Sequence, residues 1–477
     1  MTELSKKKIK LIHFVGIKGV GMAPLAIIAK EAGFKVTGSD IADEFITDIS
    51  LKNAGIVPLI GFSKEHVKNP DLVIFTGAHG GQENVEVLAA KNKEIPVMTQ
   101  GEAVGTFMDG KIFNRKFDGI SVAGSHGKTT VTAMISTILK DAGLDPSFLI
   151  GTGSIASLGS CGHFGRGKYF VAEADEYATE PNFDKTPKLL WQHPKIAVFT
   201  NIELDHPDLF DSVDDIRSAF LKFANQLPQD GVLIACGDDP QNQKLIKEYG
   251  KKVITYGFSP GNSFVIRNIR ISGDHMFFWV DANDTSIGGF MTNIVGEHNG
   301  LNAMSAIIVA LECGLTIEKI REGIKKFTGT KRRFEYIGRL NTGAVLYDDY
   351  AHHPTEIKKT LFAFRQSFPK SKIVCVFQPH TYSRTKILFD DFLHSFNYAD
   401  TVILINIYPS QREKPDPSIS SSLLTEGVKK FHKEVFFLPK LPDVVKYIKE
   451  KGFGKDTVVI TMGAGDVYKI SEFLISN

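Results

Sequence analysis

Hydrophobic and polar positions along this chain change period repeatedly. Short apolar runs at residues 9–15, 36–39, 72–76 and 96–99 read as buried strands. Between the first two, Gly16 to Gly21 reads as a glycine turn and the stretch to Ala32 as a helix that Gly33 ends. A second set opens with a strand at 119–122, after which Val131, Met134, Ile135, Ile138 and Leu139 recur at helical spacing. Strands follow at 169–173 and 196–201, alternating strand-like segments occupy 253–295, and a helix runs through 303–311. A third set has strands at 345–348, 373–377, 402–407 and 458–461, with helix-like runs between them. Alternation of strands with helices implies parallel, doubly wound sheets. The expected architecture is α/β with three domains, at 1–114, 115–328 and 329–477, each on a mainly parallel sheet. No low-complexity linker or short tandem repeat interrupts the pattern.

Composition narrows the class. The 477 residues are 43% hydrophobic, enough to bury several cores, so the chain is not a disordered one. A net charge of +2 argues against a nucleic-acid coat and against a polybasic membrane patch. The cysteines Cys161, Cys236, Cys313 and Cys375 lie far apart and read as free thiols of a reducing compartment. Residues 1–10 are polar and lysine-rich with no long apolar run behind them. Neither a signal peptide nor a membrane span is expected, and the chain reads as a soluble cytoplasmic enzyme.

The chemistry concentrates at strand ends. Gly124-Ser125-His126-Gly127-Lys128-Thr129-Thr130 lies between a strand and a helix, the context a phosphate-binding loop needs. Gly124 and Gly127 allow the backbone N–H groups to turn toward an anion, and the helix N-terminus adds partial positive charge. Lys128 can neutralise β/γ-phosphates, and the Thr129 or Thr130 hydroxyl can reach Mg²⁺. Two residues separate the glycines, where the common pattern has four. The N-terminal turn, with Gly16, Lys18, Gly19 and Gly21, fits either a dinucleotide-type pyrophosphate seat or a structural turn, and Asp40 ends the next strand where a carboxylate can meet ribose.

Glu173-Ala174-Asp175-Glu176 follows a strand and reads as a Mg²⁺ site or a solvated acidic turn. His206, beside Glu203 and Asp205, could ligate metal, touch phosphate or be structural. His298, Asn299 and Asn302 could meet a purine, or Asn299 could cap the following helix. Lys331-Arg332-Arg333 fits a surface basic patch. The stretches 347–356, with Asp349, Tyr350, His352 and His353, and 377–385, with His380 and Arg384, both follow strands. They point to one crevice beyond the strands' carboxyl ends, which Met462-Gly463-Ala464-Gly465-Asp466 would close.

These motifs resemble those of the Mur ligases, the ATP-dependent amino-acid ligases of peptidoglycan synthesis. The similarity runs through all three domains and rests on the short Gly-Ser-His-Gly-Lys-Thr-Thr loop, Glu-Ala-Asp-Glu, Thr-Asn-Ile-Glu-x-Asp-His and Asp-Asp-Tyr-Ala-His-His-Pro-Thr-Glu-Ile. The resemblance implies Rossmann-like terminal domains and a phosphate-loop ATPase-like centre. It implies that ATP with Mg²⁺ activates the carboxylate of UDP-N-acetylmuramate as an acyl phosphate, which an amine attacks. In that reading Lys128, with the rest of the loop from Gly124 to Thr130, holds the nucleotide phosphates, and Arg333 approaches them. Thr129, Thr130, Glu173 and His206 hold metal. His298, Asn299, Asn302 and Asp349 bind the nucleoside. Gly16, Lys18, Gly19, Gly21, Ser39 and Asp40 face the UDP part, with Tyr350 and His353 on the substrate side. His352, His380 and Arg384 orient the amine and acyl phosphate.

Phe-Gln-Pro-His-x-Tyr-Ser-Arg-Thr in the C-terminal region is most similar to members that add L-alanine. Departures exist. Lys18 stands where those members have glycine, and Thr381 where some have arginine. The stretch from Glu173 to Lys188, with His193-Pro194 and Asp208-Leu209-Phe210, is closer to members that attach a preformed tripeptide. Lys222 is no convincing match for the carbamylated lysine of other members. An L-alanine ligase, a tripeptide ligase and a non-catalytic nucleotide-sugar binder are thus the competing expectations, and a nicotinamide oxidoreductase would leave the phosphate loop unexplained.

Overall fold

The computed structural model describes residues 9–206, 208–409 and 413–475. Residues 1–8, part of the polar, lysine-rich stretch noted above, and Pro207, within the histidine motif, lie outside the described residues.

Three large sheets organise the chain. The first has five parallel strands in the order Leu59–Ile60, Lys35–Asp40, Leu11–Val15, Leu72–Phe75, Val97–Thr99. Leu11–Val15 is central, so its C-terminal end lies at the point where the strand order reverses, the place such sheets bind ligands. The helix Ala23–Glu31 packs over it because Leu25, Ala26, Ile27 and Ile28 are all buried.

The second sheet has ten strands, with Asp118–Ala123 between Ile196–Phe199 and Tyr169–Glu173. Its centre is parallel, as the alternation of elements predicts, but the sheet as a whole is mixed. On one flank Phe264–Ser272, His275–Ala282 and Thr285–Thr292 form an antiparallel meander. The reason is local. Met276, Phe278 and Val280 are buried while Phe277 and Trp279 are exposed, the two-residue period of a sheet covered on one face. Asn283 and Asp284 take left-handed φ values of 46° and 63°, which suits a two-residue hairpin turn between right-twisted strands.

The helix Lys128–Asp141 runs from the central strand with Val131, Met134, Ile135, Ile138 and Leu139 buried. It packs against the helices Glu297–Glu312 and Ile317–Lys326. The third sheet has six strands in the order Glu335–Arg339, Val345–Asp349, Thr457–Met462, Lys372–Phe377, Thr401–Leu404, Val435–Phe437. All neighbours are parallel except the first pair. Among the described residues no helix is long and apolar enough to cross a membrane.

Candidate active site

The central sheet and the C-terminal sheet bring their strand ends to one cavity. It has a volume of about 380 Å³ and is walled by His126, Thr130, Glu203 and Asn302 on one side and Arg333 and Asp349 on the other. Burial of so many polar groups is costly without partners, and the partners they find define the site.

Lys128 is the first residue of its helix, and Gly127 before it has φ +86°, so glycine relieves a left-handed turn there. A side chain at Gly127 would also press on the Asn302 amide. The Lys128 ammonium donates to Glu176 at 2.7 Å and to the carbonyl of Gly124 at 2.6 Å. Burial works against its charge, but Glu176 and Asp175 outweigh burial and raise its pKa above the ordinary lysine value. Thr129 donates to Glu173 at 3.0 Å, and the N–H of Gly151 also donates to that carboxylate. Burial pushes both Glu173 and Glu176 up.

His206 approaches Asp205 at 3.6 Å and Glu176 at 4.0 Å, and its ring lies 4.7 Å from that of Tyr177. The metal residues expected from the sequence therefore fall into two neighbouring groups, Thr129 with Glu173 and His206 with Asp175 and Glu176. One Glu176 oxygen is buried without a hydrogen-bond partner.

The Glu297–Glu312 helix starts earlier than the apolar pattern indicates, so His298, Asn299 and Asn302 are inside it. Its N-cap is Gly296, which removes the capping role considered for Asn299. Asn299 instead donates to the carbonyl of Val295 and accepts from Asn302 at 3.1 Å. Burial, with Lys359 and Arg333 nearby, lowers His298 to about 3, so its imidazole is neutral at physiological pH. Burial raises Asp349 to about 6 against the pull of Arg333.

The C-terminal clusters connect to the central domain. Arg384 donates to Asp205 at 3.0 Å, and its other terminal nitrogen lies 3.0 Å from His380. Burial raises the Asp205 pKa, and Arg384 overrides it to hold the group well below the usual carboxylate range. His352 is 3.3 Å from Glu356, and its ring lies 5.8 Å from His380; burial lowers it to about 4. Tyr350 lies under the guanidinium groups of Arg332 and Arg333.

The surface-patch reading of Arg332 changes, and several other expected residues are found engaged within the protein. The basic stretch at Arg332 is not a surface patch: Arg332 is buried, donates to Asp348 at 2.8 Å and holds the carbonyls of Gly463 and Gly465. His353 faces inward as the N-cap of Pro354–Ser367, in a capping box with Glu356. Ser39 and Asp40 are fully buried and bonded internally, so neither side chain is presented as an open ligand. Ser39 donates to Glu86, and Asp40 accepts the N–H of Lys18 at 2.7 Å. The Lys18 ammonium reaches the carbonyls of Ile41 and Asp43, not a free phosphate cradle. Gly16 has φ +79° and, with Gly19, folds the turn: the Gly19 N–H donates to the Gly16 carbonyl, and Gly21 lies against Gln100. Lys222 is exposed on its helix.

Sequence reasoning placed His126 in the phosphate loop and Glu203 beside His206, but not their meeting with Glu356 at the hub of this interface. His126 lies 3.5 Å from Glu203 and 3.3 Å from Glu356. Burial opposes its protonation, yet those two carboxylates raise it to about 10. Glu203 falls to about 2, burial notwithstanding, because His126 and the Thr355 hydroxyl serve its charge. Ser125 and Glu203 bond through the Ser125 hydroxyl at 2.8 Å and 3.0 Å. Glu356 had a signal, its place three residues after His353 at a helix start; Lys359 and Asp239, also on the cavity wall, had none.

The family described as Mur ligase family, catalytic domain, matches residues 11–112, the Mur ligase middle domain matches 122–310, and the Mur ligase, glutamate ligase domain matches 332–465. The UDP-N-acetylmuramate–L-alanine ligase of Desulfitobacterium hafniense (strain Y51) is 38% identical over 465 residues, 97% of this chain and 99% of that protein. A UDP-N-acetylmuramate–alanine ligase from Thermotoga maritima, known as a crystal structure, is similar with a TM-score of 0.80 at 27% identity, covering 98% of each chain. A murein peptide ligase from Psychrobacter arcticus 273-4 is similar with a TM-score of 0.68 at 25% identity, also over 98% of each chain. Fold, motifs and full-length similarity agree: the chain belongs to the Mur ligase family.

Proposed function

We propose that this chain joins L-alanine to the lactyl carboxylate of UDP-N-acetylmuramate at the expense of ATP, in the cytoplasm, as a step of peptidoglycan synthesis. The observation that carries this reading is the phosphate loop opening onto a cavity closed by Arg333 and Asp349 of the next domain. ATP fits that cavity with its phosphates on the helix N-terminus at Lys128 and its nucleoside beside His298, Asn299, Asn302 and Asp349. Neutral His298 suits hydrogen bonding to a base. The names of the full-length relatives support the same substrates.

The reaction follows from positioning and charge. The muramate carboxylate takes the γ-phosphoryl group of ATP, and ADP leaves. The amine of L-alanine attacks the acyl carbon, the tetrahedral intermediate collapses, and phosphate leaves as the amide forms. Lys128 neutralises the phosphoryl oxygens in transfer. His352, held near 4, is a neutral imidazole able to accept a hydrogen bond from the attacking amine and so orient it. Arg384 and His380 hold the amino acid and the acyl phosphate.

Mg²⁺ fits the residues present: Glu176 has a buried oxygen without a hydrogen bond, and the donors around it are hard carboxylates with one imidazole. Thr129 or Thr130, Glu173 and His206 would hold it, with Asp175 and Glu176 alongside. When bound it supplies charge neutralisation at phosphate oxygens.

A second reading has one specific support. The hairpin Ala178–Glu180 and Asp184–Pro187 lies in the stretch whose wording resembles tripeptide-attaching members, and the murein peptide ligase is similar over the whole chain. Phosphate release from ATP with UDP-N-acetylmuramate and Mg²⁺ separates the two. Release dependent on L-alanine supports the proposal. Release only with L-Ala-γ-D-Glu-meso-diaminopimelate moves the chain to the tripeptide reaction, and release with neither ends both.

A further inference from the structure

The proposed chemistry uses the backbone around His126 but gives no task to its imidazole, to the Glu203 carboxylate or to the His353 ring. These groups come from three places: the phosphate loop, the end of Ile196–Phe199 and the cap of Pro354–Ser367. Their donor atoms converge. His126 Nε2 is 3.5 Å from Glu203 Oε2, and Glu203 Oε2 is 3.6 Å from His353 Nδ1. All three donor atoms lie within 4.8 Å of one another. Ligands at 2.0–2.1 Å from a tetrahedral zinc ion stand about 3.3 Å apart, so the spacing is close to a zinc ligand set.

Two further observations point to a ligand. His126 Nε2 is buried and, beyond its 3.5 Å ion-pair contact with Glu203, makes no hydrogen bond. On the other side of the same ring, Nδ1 lies 3.3 Å from Glu356. A carboxylate behind a metal-facing imidazole is the arrangement that fixes ring orientation and raises ligand basicity at metal sites. Thr355 supports the carboxylate ligand in the same way, donating its hydroxyl to Glu203 at 2.6 Å. His353 Nδ1 has only a long 3.3 Å bond from the Thr355 N–H, which a metal would displace.

We infer that His126, Glu203 and His353 form a transition-metal site, suited to Zn²⁺, that straps the phosphate loop to the C-terminal domain. Two imidazoles and one carboxylate leave a fourth position for water. His126 and Glu203 also line the nucleotide cavity, so that position opens toward it. The site differs in chemistry from the group Asp175, Glu176 and His206, which offers one imidazole and two carboxylates.

The test uses the full-length protein without nucleotide, so it does not depend on the ligase reading. Co²⁺ serves as the spectroscopic probe. One equivalent should bind with the absorption of a tetrahedral site. Glu203→Gln keeps an acceptor for Thr355, and His353→Asn keeps a helix cap. Each should weaken Co²⁺ binding at least about tenfold, whereas His206→Ala should leave it unchanged. Thermal melts report whether each variant folds. X-ray absorption of the Zn²⁺-loaded wild type is the second measurement, and two imidazole ligands are expected. Absence of saturable Co²⁺ binding, loss confined to His206→Ala, or a shell with one imidazole overturns the proposal.

Discussion

The molecule contains two strand–glycine–helix turns that look alike in sequence and differ in use. At the first, Gly16 ends Leu11–Val15, and the helix begins only at Ala23. A carboxylate of the protein itself, Asp40, accepts the amide of Lys18 there, and the Lys18 ammonium is held by backbone carbonyls and by Asp48 at 3.6 Å. At the second, the helix begins at Lys128 itself, directly behind the left-handed Gly127. The surrounding carboxylates Glu176 and Glu173 bond to the Lys128 and Thr129 side chains, the groups a phosphate and its metal would engage. The lesson is that a glycine turn becomes an anion site through what distant residues leave available. In the first turn a carboxylate takes a turn amide; in the second the carboxylates bond the Lys128 and Thr129 side chains, and the neutral Asn201 takes the Ser125 and His126 amides.

The strongest break of this comparison is at the lysines. Lys128→Ala should reduce ATP-dependent phosphate release by about 10³-fold or more, the scale of losing a principal charge stabiliser. Lys18→Ala should change the same rate by no more than about tenfold, because its ammonium supports a loop. Equal losses at the two positions would erase the distinction, and a melt of each variant separates catalysis from folding. Next in size is the amine site. Replacing His380 and Arg384 together by alanine should raise the KM for the amine by about tenfold or more through loss of a hydrogen-bonded charge. Affinity for the UDP-sugar, measured by calorimetry, should stay within error; if it collapses instead, the pair does not serve the amine.

Strand positions were legible because a buried parallel strand is a continuous apolar run, and Asp118–Ala123 and Tyr169–Glu173 are such runs. Strand direction was less legible in the meander, although its turn residues Asn283 and Asp284 carried the signal. Strand-end clusters were legible because doubly wound sheets place ligands there. Pairings between clusters were not. Arg384 meets Asp205 across 179 residues of sequence, and Thr355 meets Glu203 across 152. No local period encodes such contacts; they follow from how one domain docks on another. For the same reason Arg332 read as a surface cation, when its φ of 59° and its burial make it the clasp of the Gly463–Gly465 loop.

A smaller effect sharpens the first turn. Asp40→Ala removes the acceptor for the N–H groups of Lys18 and Ile41, both bonded at 2.8 Å or less. Unmet buried donors cost about 1–3 kcal/mol each, so urea unfolding should show a loss of that order. Asp40→Asn retains one acceptor oxygen and should recover part of it. An unchanged stability in Asp40→Ala would mean the turn holds without its internal anion, and the contrast with the second turn would weaken.

A pH window sharpens the second turn. His126 is raised from its ordinary value to about 10 in the folded protein, so its contribution is complete below 6.5 and is lost as pH rises through 10. Glu203 is depressed to about 2, so its contribution is complete above 4.5 and is lost as pH falls through 2. Both are whole only between pH 4.5 and 6.5. The difference in Tm between wild type and His126→Gln should therefore be greatest in that window and shrink on both sides. The alkaline shrinkage should be the more gradual, spread over the interval from 6.5 to 10. A difference that is flat with pH would mean that His126 is held by packing alone, and the ion pairs that tie the phosphate loop to the C-terminal domain would contribute nothing to its closure.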